Sequence, residues 1–145
     1  MIGVKFECVP GQIGPKLASI KKISKNIFDF HKIKEADITF IFGDDELLAR
    51  LKKEFFQKNH YTDVIAFRLN EYKEKLIEGE IYISIPRAKE NAKKYKEPYA
   101  KEITRLIIHG CLHLIGFKDK TGLEKKEMIK MENNFLTAFD WATLI

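Results

Sequence analysis

The chain has 145 residues, of which 45% are hydrophobic and 32% are charged, a balance typical of one globular domain with a buried core. It contains no apolar stretch of the roughly 18 residues needed to span a membrane and no signal-peptide pattern at its start, so we expect a cytoplasmic protein without a membrane partner. Its 2 cysteines form no CxxC pair and its formal net charge is +5, which disfavours a disulfide framework and allows a polyanionic partner such as RNA.

The first half of the chain alternates strand patterns with helix patterns. Residues 4–9 alternate apolar and polar side chains, which predicts a strand that ends at a Pro-Gly turn. Residues 13–31 carry apolar side chains at helical spacing and predict a helix. Residues 36–42 predict a buried strand, and Asp44 after it can cap a second helix that runs to about residue 58.

The second half predicts two more strands and then helices. Residues 62–67 predict a third strand, and residues 76–85 predict a fourth in which Gly79 marks a bulge. Three helices follow, over residues 86–95, over residues 100–115 and from residue 122 onwards. This alternation has no internal repeat and no linker, so it predicts one α/β domain over residues 1–145.

A histidine pair and a downstream aspartate lie in the segment LIIHGCLHLIGFKD, residues 106–119. His109 and His113 are one helical turn apart, so their imidazoles project from one face of the predicted helix. Gly116 can end the helix in a left-handed conformation and swing the chain back, so that Asp119 completes a third ligand. The helix is apolar nearly all round and therefore buried, and paired buried histidines need partners. The segment predicts a metal site, with a hydrogen-bonded core pair as the alternative.

Two neutral imidazoles and one carboxylate suit one Zn²⁺ ion per chain and leave a position for water, although other divalent transition metals can bind such ligands. Water on such a metal is a usable nucleophile, which favours a catalytic site. The peptidase signature HExxH places a general-base glutamate directly after the first histidine, where this chain has Gly110. A zincin-like peptidase is therefore an alternative that needs a base from elsewhere, such as Glu80 or Asp63.

Three segments of the chain resemble the YbeY family of rRNA-maturation endoribonucleases. The residues HGCLHLIGF, 109–117, are very similar to the family signature HGxLHLxGYDH. The residues TDVIAF, 62–67, resemble the family's TDVLSF strand, and the residues GEIYIS, 79–84, resemble its GDIxIS strand. The three segments occur in the family's order and at family-like spacings, so the resemblance covers most of the chain.

The resemblance implies a metal-dependent, single-strand-specific endoribonuclease that acts in rRNA maturation at the 3′ end of small-subunit rRNA and in ribosome quality control. It implies a compact α/β fold with a mixed sheet of about four strands, mostly parallel with one antiparallel strand. About five helices pack on this sheet, one of them a zincin-like helix that carries the metal ligands. The partners implied are rRNA and the ribosome or its small subunit, and the implied cofactor is zinc in a cleft.

The chain departs from the family pattern at two positions. The family's third ligand is a histidine where this chain has Asp119, and a carboxylate adds negative charge to the site. Six residues before the TDV segment the family commonly has an arginine expected to contact RNA phosphate, and this chain has Phe56, which donates no charge-assisted hydrogen bond. This second departure favours an alternative function, a basic ribosome-assembly factor whose metal is largely structural.

Residues near the TDV segment are candidates for the missing phosphate contact. Lys58, His60 and Arg68 can bind substrate, whereas Lys58 can equally end a helix in solvent and Arg68 can form a surface salt bridge. Asp63 either orients a ligand histidine or begins its strand with a side-chain hydrogen bond. The sequence identifies no general acid or base beyond the metal-bound water.

Overall fold

Four strands form one mixed sheet in the computed structural model, which describes residues 1–58 and 62–143. The strands are β1 (Ile2–Cys8), β2 (Ala36–Gly43), β3 (Val64–Arg68) and β4 (Ile77–Ser84). Their order is β1-β2-β4-β3, in which β1, β2 and β4 run parallel and the edge strand β3 is antiparallel to β4. The expected mostly parallel sheet with one antiparallel strand is confirmed.

Helices separate and follow these strands. Within the described residues the α-helices are α1 (Leu17–Phe30), α2 (Asp45–Phe56), α3 (Ile85–Tyr95), α4 (Tyr99–Ile115) and α5 (Gly122–Leu136), and a short 3-10 helix follows at Trp141–Thr143. Asp44 caps α2 as predicted, because its Oδ1 accepts from the backbone N–H of Leu47 at 2.8 Å. No helix in this part of the chain combines the length and apolar character that crossing a membrane requires.

Most predicted boundaries differ from the structure by a few residues, and two of these differences have a clear local cause. α1 begins at Leu17 rather than at residue 13, because Pro15 disfavours helical backbone in the residue before it. β4 ends at Ser84, whose hydroxyl accepts from the N–H of Arg87 at 3.1 Å and so caps α3. Ile85 is therefore the first residue of a helix and not the last of a strand.

Two glycines bring α4 close to β4. A Cβ on Gly110 of α4 would lie 2.6 Å from Cγ2 of Ile81, and a Cβ on Gly79 of β4 would lie 2.7 Å from Cδ2 of Leu114. The predicted bulge at Gly79 is wrong, because the pairing of β4 with both neighbours runs through this residue without interruption. The glycines instead let the helix lie directly on the sheet, which fixes the height of α4 above it.

α4 is the central helix of the fold. It contacts α1, α3 and α5 as well as β3 and β4, and its buried side chains include Ile103, Ile107 and Leu112. Cys111 is also fully buried and both cysteines are free thiols. The residues of α4 that face α5 and the loop before it are therefore held on a rigid support.

Candidate metal centre

The structure brings His109, His113 and Asp119 together at the C-terminal end of α4. The Nε2 atoms of the two histidines are 3.0 Å apart. Oδ2 of Asp119 lies 3.3 Å from Nε2 of His109 and 3.4 Å from Nε2 of His113. The three donor atoms thus form a nearly equilateral triangle on one side of the helix.

Two local structures, a helix-ending glycine and a helix cap, turn the chain back toward the histidines. Gly116 ends α4 with a φ of +125°, a conformation that favours glycine, and its N–H bonds to the carbonyl of Leu112 at 3.2 Å. Five residues later Thr121 begins α5 with a reciprocal cap, in which its hydroxyl and the carboxylate of Glu124 satisfy each other's backbone N–H. Asp119 lies in the short segment held between these two fixed ends.

The triangle fits a zinc ion. Zn–N and Zn–O bonds of about 2.0–2.1 Å at tetrahedral angles place neighbouring ligand atoms about 3.3 Å apart. The three measured separations, 3.0, 3.3 and 3.4 Å, lie close to that value. Three protein ligands also leave a tetrahedral ion one position for water or substrate. The geometry and the donor set therefore suit a divalent transition metal.

Buried hydrogen bonds orient both imidazoles with Nε2 toward the triangle. Nδ1 of His109 lies 2.6 Å from Oε2 of Glu132, whose side chain is only 6% exposed. His113 has a hydrogen bond with the backbone of Phe117. A carboxylate or carbonyl on Nδ1 fixes the tautomer that presents the Nε2 lone pair to a metal. Glu132 thus orients His109, and the backbone of Phe117 holds His113 in a similar way.

The electrostatics of the centre favour a cation. Burial alone lowers the pKa of His109, but its hydrogen bonds to Asp119 and Glu132 outweigh burial and raise the pKa to about 9. The hydrogen bond from His109 lowers the pKa of Asp119 well below its usual range, so this carboxylate is charged. Burial and the neighbouring His109 charge lower the pKa of His113, which therefore stays neutral. Two carboxylates act on the histidine pair, and their charge attracts a metal ion.

A chain of buried and half-buried polar groups extends from Glu132 along a groove beside the centre, which is lined by Asp63, Asn91, Glu102 and Arg105. Arg105 bonds Glu102 at 3.2 Å and approaches the other oxygen of Glu132 at 3.7 Å. Asn91 donates to Oε2 of Glu102 at 3.2 Å and to Oδ2 of Asp63 at 3.0 Å. Burial raises the pKa of Glu102. Asp63 therefore begins its strand as part of this network, and the carboxylate that bonds a ligand histidine is Glu132.

The predicted role of Arg68 as a phosphate contact stays a prediction, and the structure shows its guanidinium in hydrogen bonds within the protein. Its Nη1 donates to the carbonyl of Leu114 at 2.8 Å, and its Nη2 donates to the carbonyls of Glu71, Glu74 and Leu76. Its Nε donates to the side chain of Asn70. All three nitrogens are engaged, so this arginine ties the β3–β4 loop to the end of α4.

The other two candidates for phosphate contact lie after α2. Lys58 is exposed and follows the helix, as expected for either of its predicted roles. His60 lies outside the residues that the structure describes. The structure adds Lys52 of α2 to this group: burial and the neighbouring Lys58 charge lower its pKa, and the charges of Asp119 and Asp63 partly offset that lowering. Two lysines therefore lie on the α2 side of the metal centre.

The packing of Gly110 also bears on the peptidase alternative. The position that holds the general base in HExxH faces Ile81 at a distance too short for any side chain. Glu80, one candidate for a replacement base, instead accepts a hydrogen bond from the hydroxyl of Tyr82 at 3.4 Å. The other candidate, Asp63, is bonded to Asn91. The structure therefore gives the peptidase alternative no support.

The position of Glu132 in the sequence indicates a buried carboxylate, but the periodicity of α5 alone does not show what it binds. Met128 and Phe135 mark the buried face of α5, and Glu132 lies on that same face. A glutamate within an apolar stripe is almost never buried without a partner. Its partner is 23 residues away in sequence, so only the fold identifies His109 as that partner.

Comparisons with known proteins identify the family to which the chain is similar. A family model described as Endoribonuclease YbeY matches residues 13–140. A protein named Endoribonuclease YbeY from Karelsulcia muelleri is 45% identical over 100 residues, which cover 69% of this chain and 70% of that protein. Another protein of that name, from Flavobacterium psychrophilum, is 35% identical over 139 residues, 96% of each chain. The solution structure of TM1509 from Thermotoga maritima has a TM-score of 0.63 at 26% identity, covering 94% of this chain and 87% of that one.

Proposed function

The chain belongs to the YbeY family of endoribonucleases, and on that premise we propose that it is a zinc-dependent hydrolase that cuts single-stranded RNA. The observation that carries the proposal is the triangle of Nε2, Nε2 and Oδ2 atoms of His109, His113 and Asp119, whose sides match a tetrahedral zinc ion. The family consists of nucleases, and the three ligand atoms are spaced as a catalytic zinc ion requires. Both observations support metal-dependent hydrolysis of RNA.

We assign a separate role in this reaction to the metal ligands, to Glu132 and to Lys52. His109, His113 and Asp119 would hold the ion, which when bound would supply Lewis-acid activation of water and of the phosphodiester. Glu132 keeps the His109 imidazole turned toward the ion through the 2.6 Å bond to Nδ1. Lys52, on the α2 side, offers a cation to the phosphates of the substrate strand.

We further propose the biological setting that the family resemblance implies. The substrate is the 3′ end of small-subunit rRNA during its maturation, and the protein also acts in ribosome quality control. Its partners are then rRNA and the small ribosomal subunit, and it works in the cytoplasm. The net charge of +5 supports a polyanionic partner of this kind.

The other two functions are less well supported. A ribosome-assembly factor with a structural metal would have its ligand positions closed by a fourth protein group, as structural zinc sites do. Only three residues form a possible metal-binding group in the part of the chain that the structure describes. A peptidase needs a base that Gly110 cannot supply.

Cleavage of single-stranded rRNA by purified protein tests the proposal. We expect the wild-type protein to cut, a chelator to stop the cutting, and His113→Ala and Asp119→Ala each to lower the rate by at least about a hundredfold because a ligand is lost. Asp29→Ala, which removes an exposed carboxylate paired with Lys25 on α1, is the matched control and keeps the wild-type rate. Equal cleavage by all four proteins would contradict the proposal.

A further inference from the structure

A group of aromatic side chains lies at the end of α2, on the same side of the molecule as Lys52. We infer that this aromatic shelf, formed by Phe55, Phe56 and Phe67, stacks a base of the single-stranded RNA while Lys52 contacts the adjoining phosphate. The inference deepens the proposed function and rests on it, because it names how the substrate strand is held beside the metal centre.

The three rings of the aromatic shelf pack on one another. Phe56 stacks on Phe67 with ring centroids 5.8 Å apart and planes 25° apart. Phe55 meets Phe67 edge-on at 5.3 Å, and Tyr82 also meets Phe67 edge-on, at 5.8 Å. Rings at these separations stabilise one another, so the surface that they present is rigid.

The shelf is exposed although its members are large and apolar. Phe55 is 59% exposed and Phe56 is 42% exposed. Leu48 is the one residue of α2 that is buried, and it already covers the sheet from the preceding turns of the helix. Two consecutive exposed phenylalanines in the last turn therefore add little to the core, and the ring surface that Phe67 does not cover is available to a flat partner that displaces Lys52.

The position of Lys52 connects the shelf with the metal centre. Its Nζ lies 4.5 Å from the centroid of the Phe56 ring. The carboxylates of Asp119 and Asp63 also act on its charge, so the same ammonium is within electrostatic reach of the centre. We place the base where the Lys52 ammonium now lies over the Phe56 ring. A base that stacks on this ring displaces the ammonium, which can then contact the phosphate of the same nucleotide strand.

The distance between shelf and groove suits a short piece of single strand. Val64 lines the groove beside the centre, and Phe67 lies three residues further along β3. At about 3.3 Å per residue this span is about 10 Å, the rise of about three stacked nucleotides. β3 is the edge strand, so the RNA can cross it from the α2 side to the α4 side without passing through the sheet.

The chemistry of the shelf favours RNA over a protein segment. Aromatic rings beside a mobile cation are the elements that bind single strands without reading their sequence, since every base has a π-face and every nucleotide has a phosphate. The net charge of +5 and the family's nuclease activity point to the same partner. An apolar peptide would use the rings but would leave the Lys52 ammonium without an anion.

Binding of a non-cleavable oligonucleotide separates this role from catalysis. The probe is a fluorescein-labelled, 2′-O-methyl single strand of ten nucleotides, titrated with the protein as purified and followed by anisotropy. We expect Phe56→Leu, which keeps apolar contact with Phe67, to weaken binding about fivefold to a hundredfold, and Phe56→Tyr to stay within about threefold of wild type. The matched control is Phe30→Leu, the same substitution at a phenylalanine that is 71% exposed at the end of α1, and it binds like wild type.

An abasic scan of the probe then tests stacking itself. Removing one base at a time should weaken binding to the wild-type protein at one position, and at that position Phe56→Leu should cause no further loss. Equal binding by wild type and Phe56→Leu, or equal abasic losses in both at every position, would overturn the inference. Cleavage of normal RNA is measured beside these titrations, so failure of the nuclease proposal and failure of the shelf give different results.

Discussion

The carboxylate of Glu132 provides the sharpest structural prediction, because it touches a ligand histidine and is far from it in sequence. We expect Glu132→Ala to lower the affinity for zinc and Glu132→Gln to lower it less. In the alanine variant the buried Nδ1–H of His109 has lost its acceptor at 2.6 Å. The imidazole can then rotate or change tautomer, and Nε2 is no longer held toward the triangle.

The magnitude follows from the kind of hydrogen bond that is removed. Loss of a group that orients a metal ligand costs about tenfold to a hundredfold in metal affinity, or about 1.4–2.8 kcal/mol. Alanine removes the acceptor entirely and should lie near a hundredfold. Glutamine keeps a neutral acceptor, about half as strong as a charged one, and should lie near tenfold. Arg105 also bonds Glu102 at 3.2 Å, and we expect this ion pair to remain in both variants.

The assay is competition for zinc between the protein and a chromogenic chelator at pH 7.5. The matched control is Glu127→Gln, which changes the same charge on an exposed position of α5. It should bind zinc like wild type. Wild-type zinc affinity in Glu132→Ala would refute the orienting role of Glu132. Equal losses of zinc affinity in Glu132→Ala and Glu127→Gln would refute it too, because they would show that only the negative charge of the carboxylate matters.

Three further predictions concern residues that lie on α4 or bond to it. Arg68→Lys should lower the free energy of unfolding by about 2 kcal/mol in urea titrations. One ammonium cannot replace a guanidinium that donates to four carbonyls. A loss of RNA binding at unchanged stability would contradict this prediction. Gly110→Ala should destabilise by about 1–3 kcal/mol, since its Cβ would lie 2.6 Å from Ile81, and an unchanged melting temperature would contradict that packing. Burial raises the pKa of Tyr99 from 10.0 to about 12, so the unfolded chain loses the phenol proton first and stability falls between pH 10 and 12. Tyr99→Phe should flatten that part of the pH–stability curve, and an equally steep fall would show that another group causes it.

Much of the architecture follows from local patterns in the sequence. Alternating apolar residues predict the strands, and side chains such as that of Asp44 mark where helices begin, because both signals act within a few residues. The helical spacing of His109 and His113 and the glycine turn before Asp119 are signals of the same short range. The three ligands and the two turns that bring them within 3.4 Å of one another all lie between residues 109 and 124, whereas Glu132, which orients His109, lies further along α5.

The interactions that support the centre depend on tertiary packing. Arg68 resembles a free cation in the sequence, and only the fold shows that carbonyls of the β3–β4 loop and of Leu114 surround it. Gly79 resembles a bulge, whereas the space above it is filled by a side chain of α4. Gly110 suggests a missing catalytic base, and the structure adds that the residue is the contact point of helix and sheet. Contacts between elements decide each of these cases, and periodicity does not predict them.

The zinc content of the purified protein tests the central claim most directly. Elemental analysis of protein prepared without added metal, beside His113→Ala and the control Asp29→Ala, reports how many ions each chain holds. We predict about one zinc per chain in the wild type and in Asp29→Ala, and a content close to zero in His113→Ala. Absence of metal from the wild type even after incubation with zinc, or equal zinc in all three proteins, would contradict a metal centre at His109, His113 and Asp119.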